Sequence, residues 1–469
     1  MYLPHWPIPS NLGNRSINYE TVFLRMAEVL FKLKNPEKKL PPVIHVTGTN
    51  GKGSVIAFLA SILKACGLSV HIYTSPHLHD CNERIVLAGE KISNNFLFEI
   101  MEEARIAADQ TPLTFFEGFT IGAFLAFSKV PADVILIESG MGARIDATNI
   151  IEKKLATIIT PISFDHTEYL GNSIAQIAFE KSHIIRPDTP VIIGPQPKQA
   201  QEMIEVISRD QNAKTIRYDQ EFSIDLLLFE QDQDQNRNTN PNFDLNYFDN
   251  KLCNLPAPAL LGQHQYINAS IAIASALSLP FKITQQDIEL GLTTAKWPNR
   301  LEKINNNLNK LLTNSDSEIF IDGAHNQAGA FALARFIAEK KSEELANFSK
   351  LNSQNLTINK LQKPNIVKKN FIICGFTKNK CKEEFLKNFI NVVDGAAAIT
   401  VDGEPNPEDA EIICKIAAGI NFFMKPCCDL LDAIYYLNEL ASNSPCRIII
   451  CGSLHLARDV KKFGQYISA

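Results

Sequence analysis

Short apolar runs bounded by turn residues alternate with longer stretches of helical periodicity along the first half of this chain. That alternation is what winds strands and helices into a parallel sheet. Residues 43–46 read as a buried strand, and residues 55–66 as a helix that stops at Gly67. Residues 70–73 (strand), 121–127 (helix), 134–138 (strand) and 156–161 (strand) follow, each closed by polar or glycine-containing turns. Residues 230–250 have almost no aliphatic content and predict a long surface loop or hairpin tip. Helical periodicity returns at 265–277, and a second α/β rhythm begins after Trp297-Pro298-Asn299-Arg300. Its strands are expected at 319–322, 371–375, 398–401 and 448–452, with the Asn-, Ser- and Lys-rich stretch 342–369 as an exposed loop. The predicted class is α/β: a first domain over residues 1–296 with a mostly parallel sheet, then a smaller, Rossmann-like α/β domain over 297–469.

Size and charge narrow the classes of partner. A 469-residue chain that is 45% hydrophobic and 21% charged is a folded protein with room for more than one core. Its net charge of -5 supplies no basic field for a phosphodiester backbone, so nucleic acid is excluded as a partner and any anion must be held by a local pocket. None of the ten cysteines falls in a C-x-x-C pair, which predicts reduced thiols in the cytosol. Pro4, Trp6, Pro7 and Pro9 leave no basic, then apolar, leader at the start. With no apolar run of roughly 20 residues for a bilayer span, a cytoplasmic protein without membrane contact is expected.

The strongest chemical signal is His45-Val46-Thr47-Gly48-Thr49-Asn50-Gly51-Lys52-Gly53-Ser54, a glycine-rich turn between a buried strand and a helix. Gly48, Gly51 and Gly53 let the backbone approach phosphates, the helix N-terminus supplies unpaired N–H groups, and Lys52 can reach the terminal phosphate. The first domain is thus P-loop-type, with Thr49, Asn50, Gly51, Lys52, Gly53 and Ser54 as the nucleotide cradle. The spacing departs from G-x-x-x-x-G-K-[ST], since Gly53 separates Lys52 from Ser54. An ordinary glycine turn is the bland alternative, and the flanking strand and helix weigh against it. Farther on, Glu138 closes an apolar strand, the end at which open α/β sheets bind ligands, which makes it a credible magnesium ligand.

The GTNGKGS run resembles the phosphate loop of the Mur ligase superfamily in its folate branch, the folylpolyglutamate and dihydrofolate synthases, and further motifs extend the resemblance in order. Thr74-Ser75-Pro76-His77-Leu78 and Asn82-Glu83-Arg84-Ile85 match the TSPHL and NERI segments. Alone, Ser75 would read as a turn residue; the resemblance implies magnesium binding by Ser75, Glu138 and His166, the last in Asp165-His166-Thr167-Glu168-Tyr169-Leu170-Gly171. Thr114, Phe115, Phe116 and Glu117 resemble the segment lining the pterin pocket, where aromatic faces and a carboxylate suit a flat heterocycle. Ile145, Asp146 and Ala147 inherit a second pterin-side contact from a segment similar to EVGLGGRLDATN, in which Ser139 and Ala143 are departures. Lys181 matches the lysine that this branch carbamylates, with Ser182 and His183 replacing the usual Ala-Gly. Asn268, Arg300 (with Asn299 in place of glycine) and Asp322 are implied ATP contacts, and His325 of the DGAHN signature an orienting catalytic group.

The resemblance spans His45 to Leu456, and residues 10–40 show no clear match. It implies a Mur-ligase-type ATP-binding domain and a C-terminal Mur-ligase-type domain with ATP between them, two magnesium ions and a monomer. It also implies catalysis through Lys52, Lys181, His166 and His325, joining L-glutamate to dihydropteroate or a reduced folate. A ligase acting on a UDP-linked precursor is disfavoured by the short stretch ahead of the phosphate loop. A nucleotide-binding regulator that has lost chemistry is disfavoured by the presence of Lys52, Glu138 and Lys181.

Overall fold

A computed structural model describes residues 19–227, 241–305, 307–353, 367–404 and 406–466. The chain forms two compact units, one of Met1–Ala259 with Gln265–Trp297, the other of Leu260–His264 with Pro298–Ala469. Trp297 belongs to the first because its indole lies against Gly53, and Gly262 to the second because it packs against Leu301.

In the first unit the strands are β1 (Val43–Thr47), β2 (Val70–Tyr73), β3 (Ile85–Leu87), β4 (Glu90–Lys91), β5 (Val134–Glu138), β6 (Ala156–Ile159), β7 (Val191–Ile193) and β8 (Thr215–Arg217). They make an eight-stranded sheet in the order β4-β3-β2-β5-β1-β6-β7-β8. Six run parallel, and β3 and β4 close one edge antiparallel. Helices cover both faces of the central strands, so β1 and β5 are buried at every position and are mostly apolar, with only His45, Thr47 and Glu138 polar. On one face, Ile135 and Ile137 join a core with Met26 and Val29 of helix Tyr19–Lys32, Leu97 and Ile100 of helix Asn94–Ala108, and Phe124 of helix Phe115–Lys129. Helix Lys52–Ala65 is buried almost all round, and ends where Gly67 (φ 87°) donates to Lys64 O and Leu68 to Leu63 O. That double bond closes the last turn through a left-handed glycine.

A three-stranded antiparallel sheet follows, built from β9 (Phe222–Leu226), β10 (Phe243–Tyr247) and β11 (Asn250–Leu255). The polar stretch expected to be loop therefore contains a strand. Phe243 and Leu245 are fully buried and their alternation suffices for one half-buried strand, even amid Asn and Asp. Residues 230–240 lie outside the described residues.

The second unit holds β12 (Glu302–Lys303), β13 (Glu318–Ile321), β14 (Lys369–Cys374), β15 (Gly395–Ile399), β16 (Lys425–Cys427) and β17 (Cys446–Cys451) in the order β12-β13-β17-β14-β15-β16. All but β12 run parallel, the doubly wound arrangement expected of a Rossmann-like unit. The stretch expected as a loop from residue 342 is instead helical as far as Ser353, the end of a helix that starts at Gln327. Glu344 anchors that helix: it accepts from the buried Arg447 guanidinium at 2.7 Å and from Lys368 N at 3.0 Å. A Lys340–Glu343 pair supports it one turn earlier. Residues 354–366 lie outside the described residues. All ten cysteines are free thiols. Among the described residues no helix is long and apolar enough to cross a membrane.

A cleft at the ends of β15 and β16 is lined by Val401, Asp402, Asp429 and Asp459. Burial, with Asp402 nearby, pushes the Asp459 carboxyl up to about 6 from its ordinary 3.8. The folded state thus holds this proton at pH values where the unfolded chain has released it, and stability falls as pH rises through 3.8 to 6. Asp459→Asn should raise the melting temperature above that window by a few degrees and leave it unchanged below; thermal unfolding across pH measures this.

Candidate active site

The carboxyl ends of β1, β5 and β6 bring the chemistry together. After β1 the chain turns through Gly48 (φ 142°) and Gly51 (φ 89°), conformations that side-chain-bearing residues rarely adopt. A Cβ at Gly48 would strike Thr160, and one at Gly51 would strike the Asn268 side chain. The helical ladder starts with Val55 donating to Gly51 O, so the amides of Lys52, Gly53 and Ser54 open the helix ahead of any i→i−4 partner. The amides of Thr49 and Asn50, by contrast, are taken by Pro161 O at 3.1 and 3.3 Å. Thr49 Oγ1 donates to Ser163 O, and Asn50 Nδ2 to Ser163 Oγ. These two residues shape the loop. Ser54 is 1% exposed and its hydroxyl has no hydrogen-bond partner among the described residues, an unmet polar group inside the turn.

Two ammonium groups converge here. Lys52 Nζ donates to Gly48 O and Thr49 O, both at 3.2 Å, and lies 3.9 Å from Glu138 Oε1. Lys181, fully enclosed near the end of helix Ile174–Ser182, donates to the same Gly48 O at 2.8 Å. Burial, followed by the Lys52 charge, holds the Lys181 ammonium down to about 7 from its ordinary 10.5, against the opposing pull of Asp165, Asp146 and Glu138. Ser75 N donates to Glu138 Oε2 at 3.3 Å, which puts the serine beside the carboxylate. His166 sits in a left-handed turn (φ 49°) with Nε2 3.9 Å from Asp165 Oδ2.

These residues fit a divalent cation with one condition. Among the described residues no three His, Cys, Asp or Glu side chains cluster as a metal site. The sequence-derived set supplies two of those types, Glu138 and His166. The remainder would have to come from other oxygens, such as the Ser75 hydroxyl.

Two of the second group of sequence-derived residues, Phe116 and Asp146, meet at Gly140. The Phe116 ring and Asp146 Oδ2 are the atoms a Cβ there would meet, at 2.7 and 3.2 Å. Phe116 also stacks on Tyr73 with centroids 6.3 Å apart. Thr114 caps helix Phe115–Lys129 through a capping box with Glu117, Phe115 is half exposed, and Ala147 is buried in the core. Asp146 is saturated: Oδ1 accepts from Thr148 N at 3.0 Å and from Thr148 Oγ1, and Oδ2 from Met141 N at 2.9 Å. Thr148 in turn meets His45 Nε2 at 2.8 Å, a link the sequence did not suggest.

In the second unit, Asp322 Oδ2 accepts from Leu301 N and Oδ1 from Ala324 N, so the carboxylate binds two loops to each other. Arg300 lies against Gly323, and His325 Nδ1 pairs with Gly323 O at 2.7 Å.

The departures from the family pattern are accommodated. Ala143 has an ordinary backbone, because the left-handed position in its turn is Gly142 (φ 67°). Ser139 donates to Thr47 Oγ1 and Ser182 to Ala178 O, which satisfies both buried hydroxyls. Asn299 takes the left-handed conformation (φ 56°) that its glycine counterpart would.

The fold is that of a Mur-type, ATP-dependent α/β ligase: residues 46–276 match the family described as Mur ligase middle domain. The chain is 33% identical over 328 residues to the dihydrofolate synthase/folylpolyglutamate synthase of Bacillus subtilis, covering 67% of this chain and 72% of that one. It superposes with a TM-score of 0.79, at 28% identity, on Mycobacterium tuberculosis folylpolyglutamate synthase solved with ADP and AMPPCP, covering 94% and 95% of the two chains. The fold is also that of the bifunctional Yersinia pestis enzyme solved with AMPPNP and manganese (TM-score 0.74, 23% identity, 97% and 95% covered). The chain belongs to the dihydrofolate synthase/folylpolyglutamate synthase family.

The indole of Trp297 explains the glycine that interrupts the usual phosphate-loop spacing, since a Cβ at Gly53 would lie 2.6 Å from its Nε1. Gly53→Ala should destabilise the protein by about 1–3 kcal/mol through this overlap. Adding Trp297→Leu should recover part of the loss in denaturant unfolding.

Proposed function

We propose that this protein uses ATP to join L-glutamate to dihydropteroate, giving dihydrofolate, and to reduced folates, extending their glutamate tail. The convergence of Lys52 and Lys181 on Gly48 O beside Glu138 carries the reading: it supports phosphoryl transfer at the mouth of a glycine-rich loop. In the reaction the acceptor carboxylate attacks the γ-phosphorus and ADP leaves, giving an acyl phosphate. The glutamate α-amine then attacks the acyl carbon, and inorganic phosphate departs with the acyl–oxygen bond.

Gly51, Gly53 and Ser54 are assigned to the phosphates through backbone and hydroxyl donors, Thr49 and Asn50 to holding that loop through Pro161 and Ser163, and Lys52 to the terminal phosphoryl, where its charge is worth most as negative charge shifts between oxygens. Asn268, packed on Gly51, is assigned to ATP; in the second unit Arg300 and Asp322 are assigned to the nucleotide and His325 to orienting the phosphoryl group. Thr114, Phe115, Phe116, Ile145, Asp146 and Ala147 are assigned to the acceptor, with Glu117 shaping that wall. Ser75, Glu138, His166 and carbamylated Lys181 would hold magnesium, which supplies charge neutralisation at the transferring phosphoryl. Starting from the ammonium, carbamylation releases two protons, one on forming the neutral amine and one as that amine joins carbon dioxide, and would replace an enclosed cation beside Lys52 with an anion. That exchange removes like-charge repulsion and supplies the missing carboxylate of the metal set.

ATP-dependent phosphate release should require magnesium and L-glutamate and respond to both dihydropteroate and tetrahydrofolate. Response to one acceptor alone would reduce the assignment to a single activity, and response to neither would overturn it. Lys52→Ala should lower turnover by about 10²–10³-fold with the fold intact by circular dichroism. Protein prepared with isotopically labelled carbon dioxide should carry one carbamate resonance that Lys181→Arg lacks. Its absence from fully active enzyme would refute the carbamate.

A further inference from the structure

Helix Tyr19–Lys32 lies in the part of the chain without a family motif, yet it grips the acceptor wall at two points. Arg25 donates from Nε to Glu117 Oε2 at 2.8 Å and from Nη2 to Glu117 Oε1, a two-pronged pair between largely buried side chains. Three residues on, Glu28 Oε1 accepts from Thr111 Oγ1 at 3.0 Å. Thr111 and Glu117 bracket the loop and first helical turn that carry Thr114, Phe115 and Phe116. Glu117 Oε2 also accepts from Thr114 N at 3.1 Å, so both carboxylate oxygens are engaged by the protein. The helix itself is fixed, with Val22, Met26, Val29 and Leu30 in the core.

We propose that Arg25 is a positioning residue for the acceptor: by clamping Glu117 it sets the turn that holds Phe116 against Gly140, and thereby the width of the slot for a flat, carboxylate-bearing heterocycle. This rests on the acceptor reading above. A two-pronged guanidinium pair fixes direction as well as distance, and a shift of an ångström in a binding wall is enough to change the reacting geometry. Glu117, which the sequence suggested as a ligand contact, acts in this account through the wall it shapes.

Steady-state kinetics with acceptor, ATP and glutamate varied separately tests it. Arg25→Gln should raise the acceptor KM about tenfold or more, with the KM values for ATP and glutamate unchanged; Arg25→Lys, which keeps the charge but one prong, should fall between. Thr111→Val, which cuts the second tether and leaves no buried charge unpaired, should raise the acceptor KM less. If Arg25→Gln does not fold, the double variant Arg25→Met with Glu117→Gln removes both charges and should show the same selective rise. A merely structural Arg25 would lower apparent kcat through lost active protein and leave every KM in place, which would overturn the proposal, as would a parallel rise in all three. Phe116→Ala separates the two readings. If it raises the acceptor KM while the Arg25 variants do not, the clamp alone fails; if it too leaves that KM unchanged, the acceptor assignment fails with it.

Discussion

The oxygen of Gly48 accepts from two lysines, and the rest of the site follows from how that crowding is tolerated. Like charges at one carbonyl repel, and the interior around Lys181 offers little dielectric relief. The protein answers with carboxylates around the pair: Glu138 from β5 within 3.9 Å of Lys52, and Asp165 and Asp146 acting on Lys181. Each comes from the carboxyl end of a parallel strand or the loop after it. Only a sheet that places β1 between β5 and β6 can gather them around one loop. The strand order is therefore as much a part of the chemistry as the motif residues.

The same interaction bears on the proposed metal ligands. Glu138 and His166 alone would be too few for a metal, and a carbamate on Lys181 would add a further carboxylate. A lysine enclosed beside another lysine is held near neutrality, and a neutral amine is the form that takes up carbon dioxide. In the proposed reading, burial would turn an electrostatic penalty into a means of adding charge after folding.

Much of this was legible in the sequence. The buried strands β1, β5, β13 and β14 showed as apolar runs because both faces are covered, and Gly48, Gly51 and Asn299 marked turns that need left-handed backbone. The stretches containing β10 and the end of helix Gln327–Ser353 were misread, since their composition is polar and what orders them is distant: the burial of Phe243 and Leu245 in one case, the Glu344–Arg447 pair in the other. Ala143 stood out as a departure from the family pattern because sequence cannot say which residue of a Gly-Ala pair takes positive φ. The depressed ammonium of Lys181 was equally invisible, for it depends on burial and on the charge of Lys52, more than a hundred positions away.

Arg25 marks the sharpest limit of the sequence. A guanidinium at position 25 and a carboxylate at 117 share no spacing rule, and Glu117 already had a sufficient local role three residues after Thr114, as the far half of a capping box. A capping glutamate needs only to reach the backbone N–H of the cap, which Oε2 alone does here. The other oxygen is free to take an ion pair from another helix, and Arg25 uses both. One side chain thus ties a local signal, the start of a helix, to a tertiary one, the seat of helix Tyr19–Lys32 on the core. A cap alone would start the helix in any orientation that packs. A cap held from a second direction fixes the rotation of its first turn, and so where Phe115 and Phe116 stand.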